Sequence, residues 1–148
     1  MMTMKIGCEP YLRAASLFIR YTVFVLEKGI AAEDEFDQND EKGIIYAVLY
    51  RDQMPVSTAR FLPQGEKQAR LTRVATLKDE RSKGYGAQII QALEQYARDE
   101  GFEHLVIHSE LTARAFYEKI GYKPFSSIYE EDGEPCQSLE KYLEGEQY

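Results

Sequence analysis

The chain has no tryptophan, only two cysteines and two histidines, and no apolar run approaching the ~18–20 residues that cross a bilayer. Cys8 and Cys136 stand far apart and in no C-x-x-C arrangement, which argues against a disulfide framework or a zinc site and suits a reducing, cytoplasmic setting. His104 and His108 would hold a metal if they lay at i, i+4 on a helix. Leu105, Val106 and Ile107 between them read instead as strand, which sets the two rings ~13 Å apart, too far for one ion, so no metal site is expected. Met1 to Lys5 lack the apolar core of a signal peptide. Positive charge is in deficit: 25 acidic residues against 18 basic give a net charge of −7. Such a field repels phosphate backbones, so a nucleic-acid module is disfavoured and a cationic amine partner mildly favoured.

What is present is enough for a core. The 148 residues are 44% hydrophobic and 12% aromatic, with eleven Tyr and seven Phe, the size and content of one domain over 1–148. A first strand is read over Met4–Cys8. A helix starts at Pro10 and carries Ala14, Leu17, Phe18, Tyr21 and Val25 at helical spacing up to Gly29. Ala31 to Lys42 holds six carboxylates and reads as an acidic loop or short broken helix. Gly43–Tyr50 and Val56–Leu62 form a hairpin, and Arg70–Leu77 a further strand. Ile89, Ile90, Leu93, Tyr96 and Ala97 make the apolar stripe of a second long helix that stops at Gly101. Leu105–Ile107 is a buried strand, and a short helix through Ala113–Ile120 ends at Gly121. Strands around Tyr122–Tyr129 and Cys136–Tyr142 follow, joined by a polar turn over Glu130–Pro135.

The most informative stretch is Arg81-Ser82-Lys83-Gly84-Tyr85-Gly86, a turn between an apolar strand and a helix. The start of a helix offers unpaired N–H groups and a partial positive charge, and two glycines let an anion approach the backbone. That combination suits a pyrophosphate. A dinucleotide fingerprint would need a third glycine where Ile89 stands, and a P-loop would need Lys and Ser or Thr where Ala87-Gln88 stand. Both are excluded. Taken alone, the two glycines are equally well read as an eased helix start.

The order Arg-x-x-Gly-x-Gly after a strand and before a helix resembles the acetyl-CoA motif of the GNAT superfamily of N-acetyltransferases. Ala113-Arg114-Ala115-Phe116-Tyr117-Glu118-Lys119-Ile120-Gly121-Tyr122 resembles that family's A-x-x-F/L-Y-E-K-x-G-F/Y segment. Arg20 to Glu27, Glu33 to Asp37, Met54 to Arg60 and Glu130 to Pro135 are similar to signatures of a small bacterial single-domain subgroup. The resemblance spans nearly the whole chain. It implies an α/β (α+β) fold with a central mixed, mostly antiparallel sheet of about six to seven strands, about four flanking helices and two splayed central strands. It also implies acetyl-CoA as cosubstrate, a small-molecule or peptide amine as acceptor, and a homodimer as a frequent assembly; no membrane partner is expected, from the lack of a long apolar run.

By the same resemblance the pantetheine arm would lie along Val74, Ala75 and Thr76. The pyrophosphate would sit on the N–H groups of Ser82, Lys83, Gly84, Tyr85, Gly86 and Ala87, with Arg81 as charged support or merely solvated. Tyr117 matches the family's general acid, against a reading as a core aromatic. The base is left open. Where some members have Glu on the strand this chain has Thr72, where Asn or Gln is frequent it has Glu110, and where the subgroup has His it has Cys136. Glu110 or His108, relayed by water, are the candidates. The acidic run Glu33–Glu41 is either a solvated face or a gate for a cationic acceptor. A noncatalytic acyl-CoA-binding module and an acidic interaction domain are the rival functions.

Overall fold

The computed structural model describes residues 1–143; the last residues of the expected 1–148 domain lie outside the described residues. Strands β1 (Met2–Gly7), β2 (Ile45–Arg51), β3 (Met54–Pro63), β4 (Gln68–Thr76), β5 (His104–Glu110), β6 (Lys123–Pro124), β7 (Tyr129–Glu131) and β8 (Glu134–Tyr142) form one sheet. Its order is β1-β2-β3-β4-β5-β8-β6, with β7 also on β8. Every pairing is antiparallel except β4 with β5. Helices α1 (Pro10–Arg20), α2 (Ala32–Glu35), α3 (Tyr85–Asp99) and α4 (Arg114–Lys119) flank it.

Alternation along the strands sends side chains to two cores. On one face Ala47, Leu49, Phe61, Leu71 and Ile107 meet Ile89, Ile90, Leu93 and Ala97 of α3 and Tyr117 of α4. On the other, Tyr46, Val48 and Ala75 meet Leu12, Ile19 and Val23. The first helix therefore buries a different stripe from the one its large apolar residues suggest. Phe18 and Tyr21 are exposed, while Ser16 and Arg20 are fully buried, because Arg20 has carboxylate partners beneath it. After Arg20 the helix widens into a π-helical stretch, Tyr21–Glu27, with Lys28 N–H bonded to the carbonyl of Val23.

The expected strand Tyr122–Tyr129 is broken: β6 has two residues, β7 three, and Phe125 to Ile128 bulge out between them. The turn is also tighter than expected, only Asp132-Gly133, both at positive φ (52° and 80°), as a two-residue hairpin requires. These short pieces raise the strand count to eight, where six or seven were expected.

Candidate active site

A bulge in β4 opens the sheet. Thr58 pairs with Ala75 but Arg60 pairs with Thr72, so β4 carries one extra residue there, and Arg73 takes φ 54°, the left-handed region. The slip is visible in the side chains too: Leu71 and Val74, three apart, both pack on the α3 core. β4 and β5 pair only over Gln68–Arg70 and His104–Val106, and past those three pairs they splay. A cavity of about 360 Å³ fills the gap, lined by Leu71–Val74 of β4 and Ile107–Glu110 of β5. The splay implied by the family likeness is present.

The gap has two sides. Leu71, Ile107 and Tyr117 belong to the α3 core, so Tyr117 approaches from that side. Arg70, Thr72 and His108 alternate with Leu71 and Ile107 and face the α1 side, where Phe24, Lys28 and Asp34 complete the wall. Glu110, Glu131 and Cys136 also line the cavity. Tyr117 and both base candidates thus meet in one space.

The Arg81–Ala87 turn lies outside that cavity's lining. Gly84 caps α3 at φ 81° with no side-chain cap, which leaves the first helical N–H groups to a ligand or water. Ser82 is also left-handed, at φ 65°, so the turn alternates its backbone sense as anion-binding nests do. Gly86 is different: its φ is ordinary, and a Cβ there would stand 3.4 Å from the Phe116 ring. Arg81 is not directed at the nest. Its guanidinium makes two 2.7 Å bonds to Glu27 and one to the Thr76 carbonyl, tying the turn to the π-helical stretch. Lys83 reaches Glu80 at 3.5 Å. Of the three residues expected along the pantetheine arm, Val74 lines the cavity, whereas the Ala75 carbonyl already accepts from the Ser57 hydroxyl and that of Thr76 from Arg81.

Burial, aided by Glu110, pushes the Tyr117 phenol up to about 12, so it stays protonated at neutral pH. Among the described residues its hydroxyl makes no hydrogen bond, and Phe116 and Tyr122 pack edge-on against the ring. Burial, with Arg70 nearby, lowers the His108 pKa from its ordinary 6.5, leaving a neutral imidazole. Burial likewise raises the Cys136 thiol and keeps it uncharged. Thr72 accepts a bond from Arg60 Nε and is committed to structure.

The acidic run is only in part a solvated face. Glu35 is buried against Arg20 and Arg73, Asp37 binds Arg60 and Arg73, and Asp40 binds Arg20, Arg60 and the Tyr46 hydroxyl. Half of the run is thus an internal clamp, holding Arg73 and with it the bulge. Only Glu33, Asp34 and Glu41 remain without such partners among the described residues, and Asp34 alone of these lines the cavity. Sequence reasoning missed the arginines. Each reads as an ordinary polar position, and their partners lie 15 to 38 residues away.

Residues 13–122 match the model of the acetyltransferase (GNAT) family. A protein of Streptococcus pyogenes named as an uncharacterized acetyltransferase is 56% identical over 110 residues, 74% of this chain and 75% of its own. A Bacillus subtilis protein named as an acetyltransferase is 36% identical over 133 residues, 88% of this chain and 89% of its own. A crystal structure of a Lactobacillus plantarum protein described as an N-acetyltransferase superposes with TM-score 0.93 at 42% identity, covering 96% of this chain and 98% of that one. The Escherichia coli protein ElaA, at 20% identity and TM-score 0.84 over 95% and 99% of the two chains, shares the fold.

Proposed function

We propose, from the premise that the chain belongs to the acetyltransferase (GNAT) family, that it moves the acetyl group of acetyl-CoA directly onto a primary amine. The observation that carries this reading is the splayed pair β4/β5, with Tyr117 entering the gap from one side and His108 from the other. The turn Ser82–Ala87 suits the pyrophosphate, because Gly84 presents bare backbone at a helix start and a Cβ there would meet no protein atom within 4 Å. The thioester would then reach the gap along Val74.

In the reaction the neutral amine attacks the thioester carbonyl. The N–C bond forms, the C–S bond breaks, one amine proton leaves to His108 or to water held by Glu110, and Tyr117 donates to the departing sulfur. A lysine-like amine, with a pKa near ~10.4, sheds its first proton to solvent before it attacks, so the neutral imidazole keeps its one vacant nitrogen for the proton released on attack, and solvent then reprotonates Tyr117. A reducing, cytoplasmic setting goes with this reading, since the two cysteines of the sequence are widely spaced and suggest no disulfide framework. Among the described residues no helix is long and apolar enough to cross a membrane.

Gly84→Val tests the reading. Valine resists φ 81°, and its branches would crowd the nest. CoA affinity by calorimetry is expected to fall at least about tenfold, with thiol release lost in parallel. Unchanged affinity in a folded variant removes the phosphate site from this turn.

His108 gives a pH test. Its pKa is lowered, so the imidazole is free base at neutral pH and is lost as a base only when pH falls through a value below 6.5. The acid limb of kcat in the ternary complex is therefore expected below pH 6.5, and His108→Gln should abolish that limb and lower kcat by about 10²-fold. A limb that survives in His108→Gln and vanishes in Glu110→Gln assigns the base to Glu110.

A further inference from the structure

Of the two arginines that line the cavity, Arg70 is the one that makes no hydrogen bond among the described residues. It occupies the last β4–β5 pair, opposite Val106, at the point where the strands part. Its neighbours Ala69 and Leu71 point into the α3 core, so its side chain faces the α1 side of the cavity, which it lines. Its Nε is shut off from solvent and has no hydrogen-bond partner among the described residues. The nearest carboxylate, Glu131, stands 4.0 Å from Nη2, beyond hydrogen-bond reach. Arg73, by contrast, reaches Glu35 at 3.0 Å, and Arg20 and Arg60 reach Asp40 at 2.6 and 2.9 Å. A half-buried guanidinium with an idle donor costs stability, because the desolvation of its charge goes uncompensated.

Glu131 marks what the spot attracts. Its second oxygen lies 3.8 Å from His108 Nδ1, so one carboxylate stands between the cation and the imidazole and bonds closely to neither. With Nε shut in, the two Nη groups of Arg70, on a side chain 28% exposed, are its accessible donors, and among the described residues neither makes a hydrogen bond. Around the mouth stand Asp34, Glu110, Asp132 and Glu134, which favour a cation there. A ligand with one negative and one positive end fits this polarity: its carboxylate on the guanidinium fork, its ammonium drawn in past the acidic rim to His108.

We propose that Arg70 anchors the carboxylate of the acceptor, and that the acceptor is accordingly a small amino acid, a primary amine that carries its own carboxylate. This rests on the acetyl-transfer reading above. The paired Nη1–H and Nη2–H edge matches two carboxylate oxygens, a geometry that neither a carboxamide nor a decarboxylated amine reproduces. Anchoring at Arg70 also places the amine beside His108 instead of leaving it to diffuse in the cavity.

The experiment pairs each of several α- and ω-amino acids with its carboxamide and its decarboxylated amine. Thiol release gives kcat/KM, and calorimetry on protein with and without CoA gives binding. Wild type is expected to favour the amino acids by roughly 10²-fold, since a site built for a polar group rejects analogues that leave it unpaired. Arg70→Met should collapse that ratio to within about threefold, leave CoA affinity intact, and leave Tm unchanged or raised, because an uncompensated charge has gone. A ratio that persists in Arg70→Met overturns the proposal, and so does a wild type indifferent to the carboxylate in both assays. That second result needs no variant to fold. Transfer to amines without carboxylate preference would leave the acetyl-transfer reading standing and sink this one. Arg70-dependent binding of amino acids without transfer would do the reverse.

Discussion

Asp40→Ala is expected to lower stability by about 3–5 kcal/mol, the range for removing one partner from a buried ion pair. Asp40 accepts from Arg20 at 2.6 and 2.9 Å, from Arg60 at 2.9 Å and from the Tyr46 hydroxyl at 2.8 Å. Arg20 is 0% exposed and Arg60 2%, so neither guanidinium can turn to water when the carboxylate goes. For a domain of this size the loss corresponds to a Tm fall of roughly 6–20 °C. In urea the midpoint should drop with the slope unchanged. Asp40→Asn keeps the shape but points an NH₂ or a neutral oxygen at the donors of Arg20, Arg60 and Tyr46, and should also be damaging. A Tm within about 2 °C of wild type in both variants would show that the network contributes geometry and no net stability.

The same cluster sets the acid response. Burial opposes the Asp40 charge, but Arg20, Tyr46 and Arg60 outweigh it and hold the carboxyl well below its ordinary 3.8. Asp37 is lowered as well, burial again being outweighed by Arg60. A depressed carboxyl contributes stability in full above its unfolded pKa and loses it as pH falls through the folded one. Stability from these two should thus be flat above about pH 5 and decline below about pH 4. Glu35 has the opposite sign: burial raises its pKa despite Arg73 and Arg20, so its charge costs stability at neutral pH and protonation relieves that cost. The acid slope should therefore be shallower in wild type than in Glu35→Gln.

The parts of the site legible in the sequence are those set by short-range rules. Gly84 before a helical stripe announces a helix start with bare backbone, and Tyr117 sits on the apolar face of a helix only six residues long. The bulge was not legible, because the residue at φ 54° is Arg73, not a glycine, and is kept there by Glu35 and Asp37 from another segment. Such strain, of order 1–2 kcal/mol, is tolerated only where contacts over-determine it. The acidic run misled for the same reason. Six carboxylates in sequence look solvated unless Arg20, Arg60 and Arg73 are known to converge on them. Buried Arg20 likewise disguised the inner face of the first helix, whose apolar count favours the side that carries Phe18 and Tyr21.

Tyr117→Phe should reduce kcat while leaving acetyl-CoA KM nearly unchanged. Tyr117 lines the cavity and its hydroxyl makes no hydrogen bond among the described residues, so its loss should cost the fold little. The ring contacts to Phe116 and Tyr122 survive the substitution. General acid catalysis is worth ~10²–10⁴-fold, and the size expected here follows from matching acidities. A free thiol has a pKa near ~8.5, and a phenol held up at about 12 does not give its proton to such a sulfur in one complete transfer. It would instead share that proton as negative charge grows on the departing sulfur. The loss should therefore lie near ~10²-fold, at the lower end. Because the contact strengthens only in the transition state, kcat and kcat/KM should fall together. The deficit should shrink with an acetyl thioester of a more acidic thiol, which needs less help to leave. A purely packing role predicts no such dependence. If kcat of Tyr117→Phe equals wild type with chemistry rate-limiting, Tyr117 is a core aromatic and water protonates the departing sulfur.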